Sequence, residues 1–145
     1  MGDSLDITKF ADNLNFEYVN GTVQSGSTSY NVNKGISRSF AKFSPKSDGN
    51  LIVSCSISSE SGYDVGGITV SGEKYEPTLS QLKNKTAFAT GGYIFSGSGV
   101  ISQAEYSYPL TAEQTYIIGL HYMKDGSVNR NDDRLYLHSM RFETA

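Results

Sequence analysis

Residues 51–58 read Leu-Ile-Val-Ser-Cys-Ser-Ile-Ser, and this stretch constrains the fold more than any other. Leu51, Val53, Cys55 and Ile57 alternate with Ile52, Ser54, Ser56 and Ser58. Successive side chains of a strand point to opposite faces, so a period of two buries the first set and turns the serines outward. Cys55 then reads as a small buried hydrophobe. No His or basic cluster lies near it in sequence to make a thiolate.

Similar runs recur. Phe16 and Tyr18 share a face in 15–19. Segment 37–43 brings Phe40 and Phe43 near each other and ends before Pro45. Val65–Val70 is a strand in which Gly66 and Gly67 mark a bulge or a close backbone approach. Residues 86–96 read as a hairpin about Gly91-Gly92. Residues 100–108 form a strand stopped by Pro109, and 115–123 put Tyr116, Ile118, Leu120 and Tyr122 on one face. The last strand, 135–142, slips phase at His138-Ser139, which a β-bulge corrects. Residues 20–29 are polar and glycine-punctuated and read as a loop. Residues 1–14 form either a helical turn or an arm across a sheet edge. One segment has helix signals: Thr78 and Gln81 have capping-box spacing, and Leu79 and Leu82 lie about one turn apart.

Eight or nine short strands and one small helix predict an all-β antiparallel β-sandwich, jelly-roll in type, as a single domain over residues 1–145. The composition agrees. Ten tyrosines, seven phenylalanines and 15 glycines suit half-buried pleated surfaces joined by turns. A lone cysteine excludes an intrachain disulfide framework.

Charge excludes other classes. The net charge is −3 with no basic run, which argues against a nucleic-acid partner. No apolar stretch reaches the ~20 residues of a membrane span. The start, Met-Gly-Asp-Ser-Leu-Asp, is acidic and lacks both a signal-peptide pattern and the Ser or Thr at position six of a myristoylation site. The expectation is synthesis in the cytoplasm.

Chemistry is sparse. In 125–133, oxygen-bearing side chains fall at alternate positions, as in a calcium loop. Arg130 stands where an EF-type loop needs glycine, and Tyr136 where it needs glutamate. A looser Ca2+ site would use Asp125, Asp132 or Asp133. A solvated hairpin loop is the simpler reading, and no other cofactor is implied. There is no Gly-x-Ser-x-Gly elbow, zinc motif or phosphate loop, so no catalytic residues are assigned and the chain is expected not to be an enzyme. Glu60, Asp64, Glu73, Glu76 and Glu105 cannot be paired into a glycosidase dyad from sequence. His121 and His138 read as partly exposed strand residues. Asn20-Gly-Thr22 and Asn84-Lys-Thr86 are acceptor sequons at chance frequency.

Residues 116–142, an apolar strand followed by Lys124-Asp125, a Ser/Gly-bearing loop, Asp133 and a strand ending Met140-Arg141-Phe142, carry a resemblance. So do Gly62-Tyr63-Asp64-Val65-Gly66-Gly67-Ile68 and the Glu76-Pro77-Thr78 and Ser80-Gln81-Leu82 that follow. Both resemble jelly-roll modules of bacteriophage tail, fibre and other virion proteins and of bacterial adhesins. The resemblance implies a non-catalytic virion or surface component that attaches or assembles through loops and exposed tyrosines, with other virion or surface proteins as partners and oligomerisation open. Calcium at this end is a property of some adhesin relatives. The alternative is a carbohydrate-binding module of an extracellular or surface protein. On either reading the candidate binding residues are Tyr63, Asp64, Tyr75, Tyr93, Tyr106 and Tyr108, because tyrosine offers a large face with a polar tip.

Overall fold

The computed structural model describes residues 2–13, 15–26, 35–124 and 134–145. Within them the elements run β1 (Gly2–Ser4), a 3-10 helix (Ile7–Asp12), β2 (Phe16–Val19), β3 (Thr22–Ser25), β4 (Ile36–Phe43), β5 (Gly49–Ser58), β6 (Val65–Ser71), α1 (Leu79–Asn84), β7 (Gly91–Gly97), β8 (Val100–Leu110), β9 (Tyr116–Met123) and β10 (Arg134–Thr144). One sheet has the order β2-β3-β10-β5-β8, with β1 also paired to β10; the other has β4-β9-β6-β7. The pairs β3·β10, β4·β9, β5·β8 and β6·β7 nest inside one another, all antiparallel. A long hairpin wound onto itself gives this order, so the fold is the all-β jelly-roll sandwich that the strand pattern predicts.

The period-two reading of β5 holds on its inner face. Leu51, Val53, Cys55 and Ile57 are buried and join Leu135, Leu137 and Phe142 of β10 and Ile118, Leu120 and Tyr122 of β9 in one core. Burial pushes the Cys55 thiol up to about 12, so it stays a neutral packing group. The phase slip in β10 is a bulge. Leu137 pairs with Cys55 and Ser139 with Ser54, leaving His138 as the extra residue. The capping box also forms. Thr78 Oγ1 accepts from Gln81 N, and Gln81 Oε1 accepts from Thr78 N.

Several expectations change. Part of 20–29 is strand β3, entered through Asn20-Gly21, both at positive φ. That is the two-residue turn whose twist suits a hairpin, and Asn-Gly is its usual signal. Both options for 1–14 occur in part, since β1 adds to the sheet and the 3-10 helix follows it. Phe40 and Phe43 lie on opposite faces of β4, their partners being Gly119 and Tyr116. Pro109 does not end β8 but pairs with Asn50 inside it. β8 is an edge strand, where a missing N–H costs no ladder bond. Gly91-Gly92 is not a turn either; the two residues open β7.

Strand β6 is buried along its whole length, on both faces. Its inner face meets the core through Ile68 and Val70. Its outer face lies under the 72–90 connection, where Leu82 of α1 packs with Val65 and Met123. Gly67 permits this close stacking, because a Cβ there would lie 2.4 Å from Leu82 Cδ1, while Gly66 leaves room on the inner face for Ile57 and Leu135. A Cβ on Gly91 would press on the Val70 carbonyl, which is backbone and cannot rotate away. Gly91→Ala is therefore expected to cost about 1–3 kcal/mol, as overpacking does. Gly72→Ala, whose Cβ would meet only Thr90 O at 3.8 Å, should be close to neutral. Urea unfolding of the two variants checks the contrast.

Candidate functional site

The tyrosines that looked like binding residues have mostly been drawn into packing. Tyr106 and Tyr108 oppose Val53 and Leu51 across the β5·β8 pair and turn inward with them. Tyr106 packs on Phe95 at 5.0 Å, and Tyr108 fills the space a side chain at Gly92 would need. Tyr75 stacks on Phe88 at 3.6 Å, and Tyr93 meets both rings edge-on. The Tyr93 hydroxyl donates to Thr86 O at 2.8 Å and lies 3.1 Å from the Tyr75 hydroxyl; burial raises its pKa. Tyr63 is 55% exposed, in the turn between β5 and β6. Its neighbour Asp64 is not a surface group. Its carboxylate is buried 3.8 Å from Lys124 Nζ, which is buried as well. The pair joins the start of β6 to the end of β9, and such pairs are costly to break from one side.

The two histidines also part company. His138 is half-buried, its Nε2 2.7 Å from Ser56 Oγ. His121, expected to be partly exposed, is completely buried. Its side chain faces outward from β9, beneath the connection that covers the sheet. Arg38 Nη1 lies 2.9 Å from His121 Nδ1, and an arginine can only donate. Nδ1 is therefore the acceptor, so Nε2 carries the proton and donates to Thr69 Oγ1 at 2.8 Å. Burial, assisted by the Arg38 charge, holds His121 neutral, with a pKa down to about 3. Arg38 also donates through Nη2 to Pro77 O at 2.5 Å, and its Nε is 3.9 Å from Glu76. One side chain thus ties β4, β9 and the covering connection together.

An open groove runs beside this tie. Outward positions of β4 alternate Arg38, Phe40, Lys42, with Ile117 of β9 next to Lys42. Lys74 of the covering connection lies over the Phe40 ring, its Nζ 5.0 Å from the centroid. The far wall is the 3-10 helix and the residue after it, supplying Lys9, Asp12 and Asn13. The helix is fixed beside β4 by a 2.6 Å hydrogen bond from Ser39 Oγ to Phe10 O. The space between the walls is about 400 Å³. It continues into a further 230 Å³ of mainly apolar lining along Phe40, Ala41, Lys42 and Ile117. Sequence reasoning missed this face. The available signal was the cation-aromatic-cation alternation 38-40-42, which places three such residues on one side of a strand.

The calcium reading of Asp125, Asp132 and Asp133 lies outside the described residues. Among the described residues no group of three or more His, Cys, Asp or Glu could hold a metal ion. No described helix is long and apolar enough to cross a membrane.

No protein-family model matches the chain, and no curated protein matches it. Among solved structures it is similar to the K3 cleaved adhesin domain of Lys-gingipain from Porphyromonas gingivalis w83. That likeness has a TM-score of 0.49 and 10% identity over 86% of this chain and 74% of the other. A CBM4 structure is similar at TM-score 0.40 and 6% identity, over 90% and 77% of the two chains. Both are β-sandwich modules.

The His121 geometry has a pH consequence. An unfolded chain protonates this histidine below about 6.5, whereas the folded one does so only near 3. Between those values the unfolded state holds the extra proton, so stability falls as pH drops, by roughly 1.4 kcal/mol per unit from this group. His121→Gln can still accept from Arg38 and donate to Thr69 but does not titrate. The stability difference between wild type and His121→Gln should therefore shrink as pH goes from 7.5 to 4.5. A constant difference in pH-dependent chemical denaturation would contradict the neutral, buried assignment.

Proposed function

We propose that this chain is a non-catalytic glycan-binding or adhesion module whose ligand lies in the groove over Phe40. The observation that carries the reading is the groove's chemistry. One half-buried aromatic ring forms its floor, capped by the mobile end of Lys74 and flanked within one face by Arg38 and Lys42, with Asn13, Asp12 and Glu76 as hydrogen-bonding walls. A sugar ring presents an apolar C–H face and a rim of hydroxyls. Stacking on an aromatic floor and bonding to polar walls satisfies both at once. The site is built on a strand held at both sides, which limits the ordering cost of binding.

The module is read as acting outside the cell or on a surface, and as carrying no reaction of its own. A virion role rests on the resemblance in residues 62–82 and 116–142, and no feature of the groove favours it over a surface role.

Phe40→Ala should weaken glycan binding by at least about 10-fold, equivalent to roughly 1.4 kcal/mol. Tyr63→Ala, at an exposed turn, should leave stability within about 0.5 kcal/mol of wild type and leave groove binding unchanged. A glycan array followed by calorimetry on both variants checks this. If Tyr63→Ala abolishes binding while Phe40→Ala does not, the site lies at the loop end instead.

A further inference from the structure

We infer that the ligand of this groove is an acidic polysaccharide, bound through the carboxylates of its uronic acid units; the inference rests on the glycan-binding reading of the same site. The chain as a whole is acidic, with 12 basic against 15 acidic residues. The groove reverses that balance, since Lys9, Arg38, Lys42 and Lys74 line it against two carboxylates, Asp12 and Glu76. Asp6, on the neighbouring side of Lys9, is turned to Thr8, accepting from its backbone N–H and its hydroxyl. A local excess of cations on a chain of opposite net charge draws an anion to one place rather than to the whole surface.

The placement of the cations matters more than their number. Arg38 and Lys42 stand two residues to either side of Phe40 on one face of β4. At about 3.3 Å per residue, this sets a cation roughly 7 Å along the strand in each direction from the ring. A saccharide stacked on Phe40 would thus have charge partners for carboxylates on both flanks. Lys74 now rests over the ring itself, and its flexible stem lets the ammonium swing to a ligand carboxylate as the sugar takes its place. Arg38 is held for the role by His121 Nδ1 and Pro77 O. The protein already sets a carboxylate by its guanidinium, that of the half-exposed Glu76 at 3.9 Å. An incoming uronate would compete with Glu76 for the same charge.

Polyanions of other kinds fit less well. A nucleic acid strand would find one stacking ring where successive bases use several. An acidic peptide gains nothing from the aromatic floor.

The test uses hyaluronan, alginate and galacturonan oligosaccharides, each beside its carboxyl-reduced neutral form, with a single-stranded oligonucleotide and poly-glutamate as controls. Binding is read by calorimetry at two salt concentrations. At least one acidic oligosaccharide should bind at least 10-fold tighter than its reduced form and weaken as salt rises. Lys42→Ala and Lys74→Ala should each lower that affinity several-fold, and should narrow the gap between the acidic oligosaccharide and its reduced form. Glu76→Gln should raise it several-fold, a gain that misfolding cannot imitate. Equal binding of acidic and reduced forms through Phe40 would overturn the inference and leave the glycan reading standing. So would tighter binding of the oligonucleotide or poly-glutamate. Failure of every saccharide, acidic and neutral, would overturn both.

Discussion

Strand β6 is buried on both faces, with Thr69 and Ser71 outward and hydrogen-bonded to His121 and Thr90, and that constraint organises the rest of the molecule. A sheet with one wet side would leave the outward residues of β6 and β9 exposed. The chain between β6 and β7 therefore folds back over the outer face, where α1 sets Leu82 against Val65 and Met123. A helix of six residues cannot hold itself there by propensity alone. Its capping box fixes the start, Lys85 in the left-handed region fixes the end, and Arg38 ties the preceding Pro77 to the sheet. The cover reaches β4 only at Pro77, bonded to Arg38, and at Lys74, set over Phe40. The strip of Arg38, Phe40 and Lys42 is left partly open beside it, and the 3-10 helix along the free edge turns that strip into a groove. The same helix shields an edge strand that would otherwise present unpaired backbone groups.

Most of the architecture was legible because it rests on local rules. Alternation in residues 51–58 and 116–122 identifies one interior strand of each sheet, and the phase slip at His138 marks the bulge in β10. Thr78 and Gln81 announce the helix. The Asn20-Gly21 turn is an equally local signal, but the residues around it are polar and its strands only four long, so the segment has the pattern of a loop. Pro109 misled in the opposite direction, since whether proline stops a strand depends on which of its edges is paired, and that is tertiary information.

The site was hidden for a related reason. Its walls come from residues 9–13, 38–42 and 74–76, segments about 30 residues apart that only the wound hairpin brings together. Tyrosine abundance does not mark such a face, since a tyrosine is as useful for filling a sheet edge as for meeting a ligand. Tyr106 and Tyr108 do the former because their partners across the strand are Val53 and Leu51. Asp64 and His121 look like surface polar residues in sequence, and each is buried because a partner far along the chain, Lys124 or Arg38, arrives to meet it.

The central claim is that ligand is held on the outer face of β4. Backbone amide chemical shifts followed during titration with a binding oligosaccharide test it most directly. The account predicts perturbations concentrated at residues 9–13, 38–42 and 74–76, with the turn at 61–64 unmoved. Shifts confined to that turn and the adjoining strand ends, with Phe40 silent, would contradict it.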